Sequence, residues 1–128
     1  MATLGVGVDI VDVERFTLAL ARHPRLAERL FTDQEQLDAR SRPERLAARF
    51  AAKEAVLKTL QSGIGAAPWR SIEVRKEPSG APTIHLHGVA AQLAVARGVA
   101  TLHVSLSHTQ MSAVAFVIGS SAEPSRAG

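Results

Sequence analysis

Residues 41–61, SRPERLAARFAAKEAVLKTLQ, are the stretch that decides how the rest of the chain is read. Ser41 can cap, Pro43 suits a first helical turn where its missing N–H costs nothing, and the alanines that follow favour a helix. The spacing predicts one long helix to about Gln61, ended by Gly63-Ile64-Gly65. At about 100° per residue, Leu46, Phe50, Leu57 and Leu60 form one apolar stripe. Lys53 falls in the middle of that stripe and Glu54 at its edge, where a charge is costly unless something binds it. Lys58 lies one turn beyond Glu54. Two readings follow. Glu54 and Lys58 pair within the helix beside a snorkelling Lys53, or the three present two cations and a carboxylate to a phosphate ester with a divalent cation.

Upstream, Leu4 to Val11 reads as a buried strand with Val6, Val8 and Ile10 on one face and Gly5, Gly7 and Asp9 on the other. Asp12 starts a helical region running to about Leu30, broken by Pro24. Thr32 and Glu35 have the spacing of a capping box, which predicts a short helix to Arg40. Downstream, Ile72–Val74 and Thr83–His87 read as strands joined by the turn signal Pro78-Ser79-Gly80. Val89 to Arg97 reads as a helix stopped by Gly98, and Leu102–Leu106 and Ala113–Ile118 as two further strands. The expectation is an α+β fold: a single compact domain over residues 1–118, with a mixed or antiparallel sheet packed against the long helix. Residues 119–128, GSSAEPSRAG, have nothing to bury and read as a flexible tail.

The 128 residues suffice for one domain and not for two. With 46% hydrophobic residues, a core can form without disulfides or a structural metal. The absence of cysteine removes thiolate metal sites and thiol nucleophiles, and fits a reducing compartment. The amino terminus lacks a basic region followed by an apolar stretch, so the expectation is a cytoplasmic protein with no membrane partner. The net charge of +3 comprises twelve Arg and three Lys against twelve acidic residues. Between Arg15 and Lys58 ten basic residues face six acidic ones, a local excess above that of the whole chain. One Trp and no Tyr leave no aromatic platform interleaved with these charges, which argues against nucleic acid.

Asp9 interrupts an apolar, glycine-rich strand. It either caps or ion-pairs, or it faces Glu54 across a cleft. In the second case the two carboxylates, with phosphate oxygens and waters, suit Mg²⁺. In His103-Val-Ser-Leu-Ser-His108-Thr109, alternation puts His103, Ser105 and Ser107 on one face, and His108 arrives at the strand end, placed to donate to a phosphate oxygen or simply exposed. His85 and His87 share a strand face but lack further zinc ligands. No dinucleotide fingerprint, Walker A sequence or nucleophile elbow occurs.

Three motifs taken together, Gly5-Val-Gly-Val-Asp9-Ile-Val11 with Arg15, then Arg49-Phe-Ala-Ala-Lys53-Glu54-Ala-Val-Leu-Lys58, then Ser105-Leu-Ser-His108-Thr109, resemble the holo-acyl-carrier-protein synthase family of 4′-phosphopantetheinyl transferases. The resemblance covers residues 4 to about 118. It implies transfer of 4′-phosphopantetheine from coenzyme A to a serine of an apo acyl carrier protein, with release of adenosine 3′,5′-bisphosphate. By resemblance, Asp9 and Glu54 match Mg²⁺ carboxylates, Lys58 matches a phosphate-binding lysine with Lys53 beside it, and His108 matches a coenzyme-contacting histidine. Gly80-Ala-Pro82 matches a turn bordering the adenine. The proton acceptor implied is Glu54, a metal-bound water or a carboxylate of the carrier.

The resemblance also assigns Arg15 to an acidic carrier protein, which gives the local positive charge a purpose, and it implies a homotrimer with the coenzyme between subunits. One departure stands out: the family has Gly-Thr-Gly shortly after its second lysine, whereas this chain has Gln61-Ser62-Gly63. The reading from another functional class is a non-catalytic basic adaptor for an acidic protein or a nucleic acid.

Overall fold

A computed structural model describes residues 1–122. Ten-residue β1 (Thr3–Asp12) leads into α1 (Val13–Arg22), α2 (Leu26–Leu30), α3 (Asp33–Ala39) and α4 (Pro43–Thr59). A 3₁₀ turn over Trp69–Ser71 precedes β2 (Ile72–Lys76), β3 (Pro82–Leu86), α5 (Gly88–Ala96), β4 (Thr101–His108) and β5 (Ser112–Ser120). The local signals explain most boundaries. Asp12 accepts from the Arg15 amide at 2.9 Å and starts α1. Thr32 and Glu35 form the capping box in both directions and start α3. Pro43 occupies the first turn of α4.

All pairing is antiparallel, in two sheets: β1-β5-β4, and the separate hairpin β2-β3. The helix α4 lies across β1 and β5. Small residues on both sides make this approach close: Ala48, Ala51, Ala52 and Ala55 on the helix are buried, as are Ala113 and Ala115 on β5. At Gly5 and Gly7 the contact is tighter still, since a Cβ there would collide with the carbonyl oxygens of Thr59 and Ala55 on α4.

That packing overturns one expectation. The alternation in β1 is as read, but the buried side is the glycine side, with Asp9 and Val11, while Val6, Val8 and Ile10 stand 58%, 53% and 69% exposed. The register places Val8 beside Phe116 and Ile10 beside Val114, so the outer face is apolar across β1 and β5 and turns polar at β4, where Ser105 stands beside Phe116. Two further boundaries move. The long helix ends at Thr59, with Gln61 in the left-handed region (φ 55°) and the Ser62 amide donating to Leu57. β5 runs two residues past the expected end, and Ser121 donates its amide to Ala2, so the ordered sheet includes the start of the expected tail. The remaining tail, 123–128, lies outside the described residues. No helix among the described residues is long and apolar enough to cross a membrane.

Candidate active site

The sequence-predicted site residues fall on two flanks of α4. On the first, Asp9 sits on the helix-facing side of β1 near its end, and Glu54 and Lys58 project from one side of α4. Lys58 Nζ donates to Asp9 Oδ1 at 3.0 Å and to the Val8 carbonyl at 3.0 Å. Lys58 thus reaches across to the strand, in place of the intrahelical pair with Glu54 that spacing allows. The Glu54 carboxyl stands beside that of Asp9. Burial pushes the Glu54 carboxyl up to about 7, reinforced by the neighbouring Asp9 carboxyl and opposed by Lys58. Asp9, Asp12, Arg15, Phe16, Phe50 and Glu54 line an open recess of about 420 Å³. Asp12 has its capping duty, and Arg15 stands exposed at the rim.

The second flank is built by α4, the β2-β3 hairpin and the end of β4. Gly80 and Pro82 from the hairpin, His108 from β4 and Arg45 and Arg49 from α4 line a cavity of about 280 Å³, with Asp38 at its border. Arg45 and Arg49 received no role from the sequence, although their i, i+4 spacing puts them on one stripe of α4. Arg49 is buried, yet its Nε has no hydrogen-bond partner among the described residues. Its Nη1 donates to the Arg45 carbonyl at 3.2 Å. Burial lowers the Arg49 pKa from its ordinary value, and Asp38 and Glu35 oppose this. A buried, unpartnered guanidinium nitrogen beside a cavity also lined by His108 and Arg45 is a place for an anion, because leaving a buried donor unpaired costs free energy that a phosphate oxygen would recover.

Lys53, expected beside Lys58 at the coenzyme, is corrected. It is fully buried, with Nζ 2.7 Å from Glu35 Oε1 and further bonds to the carbonyls of Trp69 and Ile72. Its neighbour in sequence faces a recess, but a step of one residue turns the side chain about 100° around the helix, into the packing between α3, α4 and the hairpin. His85 and His87 are engaged with the hairpin's own charges: His87 contacts Glu73 at 3.1 Å and His85 contacts Arg75 at 3.3 Å.

Among the described residues no group of three or more His, Asp or Glu side chains forms a closed metal cage. Asp9 and Glu54 offer two carboxyl groups to one recess. That set fits a hard divalent cation whose other ligands come from substrate phosphates and water.

A model of the 4′-phosphopantetheinyl transferase superfamily matches residues 5–115. The chain belongs to that superfamily. Within it, the similarity is to holo-[acyl-carrier-protein] synthases. The synthase of Frankia casuarinae is 50% identical over 121 residues, covering 92% of this chain and 98% of the relative. Among solved structures, the Helicobacter pylori synthase in complex with coenzyme A superposes with a TM-score of 0.82 at 31% identity, covering 90% of this chain and 99% of that one. The Bacillus anthracis synthase, in complex with CoA (3′,5′-ADP), gives 0.77 at 31% identity, covering 94% and 98%. This phosphopantetheinyl transferase is therefore an enzyme, and the non-catalytic adaptor reading is set aside.

Proposed function

We propose that this transferase moves 4′-phosphopantetheine from coenzyme A to a serine of an apo acyl carrier protein. The serine oxygen forms a bond to the pantetheine-bearing phosphorus, the anhydride bond breaks, and adenosine 3′,5′-bisphosphate leaves. The observation that carries this reading is the Asp9–Glu54–Lys58 group: two carboxyls lining one recess, with the Lys58 ammonium paired to Asp9. Asp9 and Glu54 would hold Mg²⁺, whose charge would offset that developing on the pyrophosphate. Lys58, more than half exposed, can release Asp9 and turn to a phosphate oxygen. In the metal-free chain the Glu54 carboxyl is pushed up to about 7; a bound cation would lower it, and the serine proton would pass to Glu54, a metal-bound water or a carboxylate of the carrier. On the other flank, Arg49, Arg45 and His108 face the remaining phosphate oxygens, with Gly80 and Pro82 bordering the adenine.

The carrier docks on the face bearing Arg15, where the excess positive charge of α1 to α4 steers an acidic partner. A homotrimer belongs to the same proposal and is supported by two features. The outer sheet face exposes Val6, Val8, Ile10 and Phe116, an unusually apolar surface for a lone subunit. The site residues of one chain lie on two flanks of α4, and a neighbouring copy would bring one flank against the other. A cytoplasmic location is also proposed, in keeping with a chain that makes no use of cysteine.

The test is direct. Protein, coenzyme A, Mg²⁺ and an apo carrier are expected to yield a carrier heavier by one phosphopantetheine, and Asp9→Ala or Glu54→Ala to lower the rate by at least about a hundredfold with the fold retained. No mass gain with any of several apo carriers overturns the reading. Transfer that survives a chelator and both substitutions overturns the metal assignment.

A further inference from the structure

The hairpin that carries Gly80 and Pro82 is not part of the main sheet, so something other than strand pairing must set its distance from α4. In a β-strand the carbonyl of one residue and the amide two residues on point to the same edge. On the edge of β2 away from β3, those groups are the Ile72 carbonyl and the Val74 amide. Lys53 Nζ donates to the first, and Glu35 Oε2 accepts from the second at 3.0 Å. The two side chains are themselves joined at 2.7 Å and both are fully buried. Lys53 Nζ also donates to the Trp69 carbonyl at 3.0 Å and sits 5.5 Å from the Phe31 ring centroid. The Lys53–Glu35 pair therefore occupies the place that a neighbouring strand would take, supplying one donor and one acceptor in matching order. Thr32 Oγ1, donating to Glu73 Oε2 at 2.6 Å, adds one more tie between the start of α3 and the same strand.

Lys53 stands one turn after Arg49, which stands one turn after Arg45, on a single stripe of α4. The cavity lined by Arg45 and Arg49 is also lined by Gly80 and Pro82 of the hairpin. We infer that Lys53 and Glu35 are positioning residues: by pinning the free edge of β2 to α3 and α4, they fix the gap between Arg49 and the Gly80–Pro82 turn into which the coenzyme binds. The inference rests on the proposed function, since it takes coenzyme A as the occupant of that gap. A buried ion pair is a weak source of net stability, because desolvation offsets much of its attraction. Its value here is geometric: two charges tied to two backbone groups hold a register that apolar packing alone would leave free to slide.

The variant that separates geometry from stability is the double substitution Glu35→Leu with Lys53→Met, which removes both charges at similar volume and leaves no unpaired ion in the core. Circular dichroism and thermal melting are expected to show a folded protein. Its KM for coenzyme A should rise by about tenfold or more, with kcat and the carrier KM near those of the unmodified chain. A folded double variant with a coenzyme KM within about twofold of the unmodified chain overturns the inference, as does a loss confined to kcat. Should the double variant not fold, hydrogen exchange on the unmodified chain decides. Protection of the Val74 amide matching the α4 core supports the pin, and exchange as fast as at the hairpin tip overturns it. The unmodified chain is assayed alongside: no transfer and no coenzyme binding there defeats the functional reading itself, whereas normal transfer with an unaltered double variant defeats only the positioning role.

Discussion

Lys53 and Glu54 are adjacent in sequence and have opposite fates. Both are legible in the sequence as charges in an apolar stripe, and the stripe places Lys53 in the interior. What it does not contain is the partner, because Glu35 lies eighteen residues earlier on another helix and is already accounted for locally as half of a capping box. A residue with two jobs hides the longer-range one. Glu54 offers a measurement at this scale. Its folded pKa of about 7 lies above the ordinary 4.5, so ionising it costs stability: the cost is absent below the lower value and fully present once pH has risen past the higher one. In metal-free protein Glu54→Gln should therefore raise Tm at about pH 8 and leave it unchanged at about pH 4, a gain on the order of 1 kcal/mol once solvent screening of a half-buried group is allowed for. Melting curves at the two pH values check this, and an equal gain at both would mean that packing, not ionisation, is responsible.

Among the elements, ends were easier to read than faces. Asp12, Thr32 with Glu35, and Pro43 act within a few residues of themselves, so their consequences are local and visible. The hairpin turn at Pro78–Gly80 is legible for the same reason, with the Gly80 amide donating to Glu77 at 2.8 Å. Which side of β1 is buried is not local. Alternation defines two faces, but the choice depends on α4 pressing its backbone onto glycine, a contact between segments about fifty residues apart. The end of α4 shows a local rule being broken. Gln61 takes the left-handed cap conformation (φ 55°) that glycine adopts without strain. Gln61→Gly should stabilise the protein by about 1 kcal/mol in chemical denaturation, the strain relief exceeding the added freedom of the unfolded chain. A destabilisation would show that the Gln61 side chain makes contributions of its own.

For the molecule as a whole, the decisive property is that the candidate site residues lie on two flanks of α4. Asp9, Glu54 and Lys58 occupy one; Arg45, Arg49, His108 and the hairpin turn occupy the other. The sequence supplied most of these residues through three short motifs, yet it placed them in one site, since order along a chain does not say which side of a helix a neighbouring strand will occupy. If copies of the chain join through the outer sheet face, a cation on that face should separate them. Val8→Lys or Phe116→Lys is expected to give a folded monomer by light scattering, with transfer reduced by about a hundredfold or more because neither flank then meets its counterpart. A folded monomeric variant with full activity would show that one chain completes its own site.

The alternation of β1 has a consequence for how this strand tolerates change. Positions 5 and 7 admit no side chain at all, because the helix backbone fills the space a Cβ would need, whereas positions 6, 8 and 10 point away from the subunit's own core. A library of single substitutions sorted for folding alone would lose the odd positions and keep the even ones. The same library sorted for transfer would lose both, so the difference between the two survival profiles would print the strand's two surfaces as a two-residue ripple, one phase recording how the subunit folds and the other what it must touch.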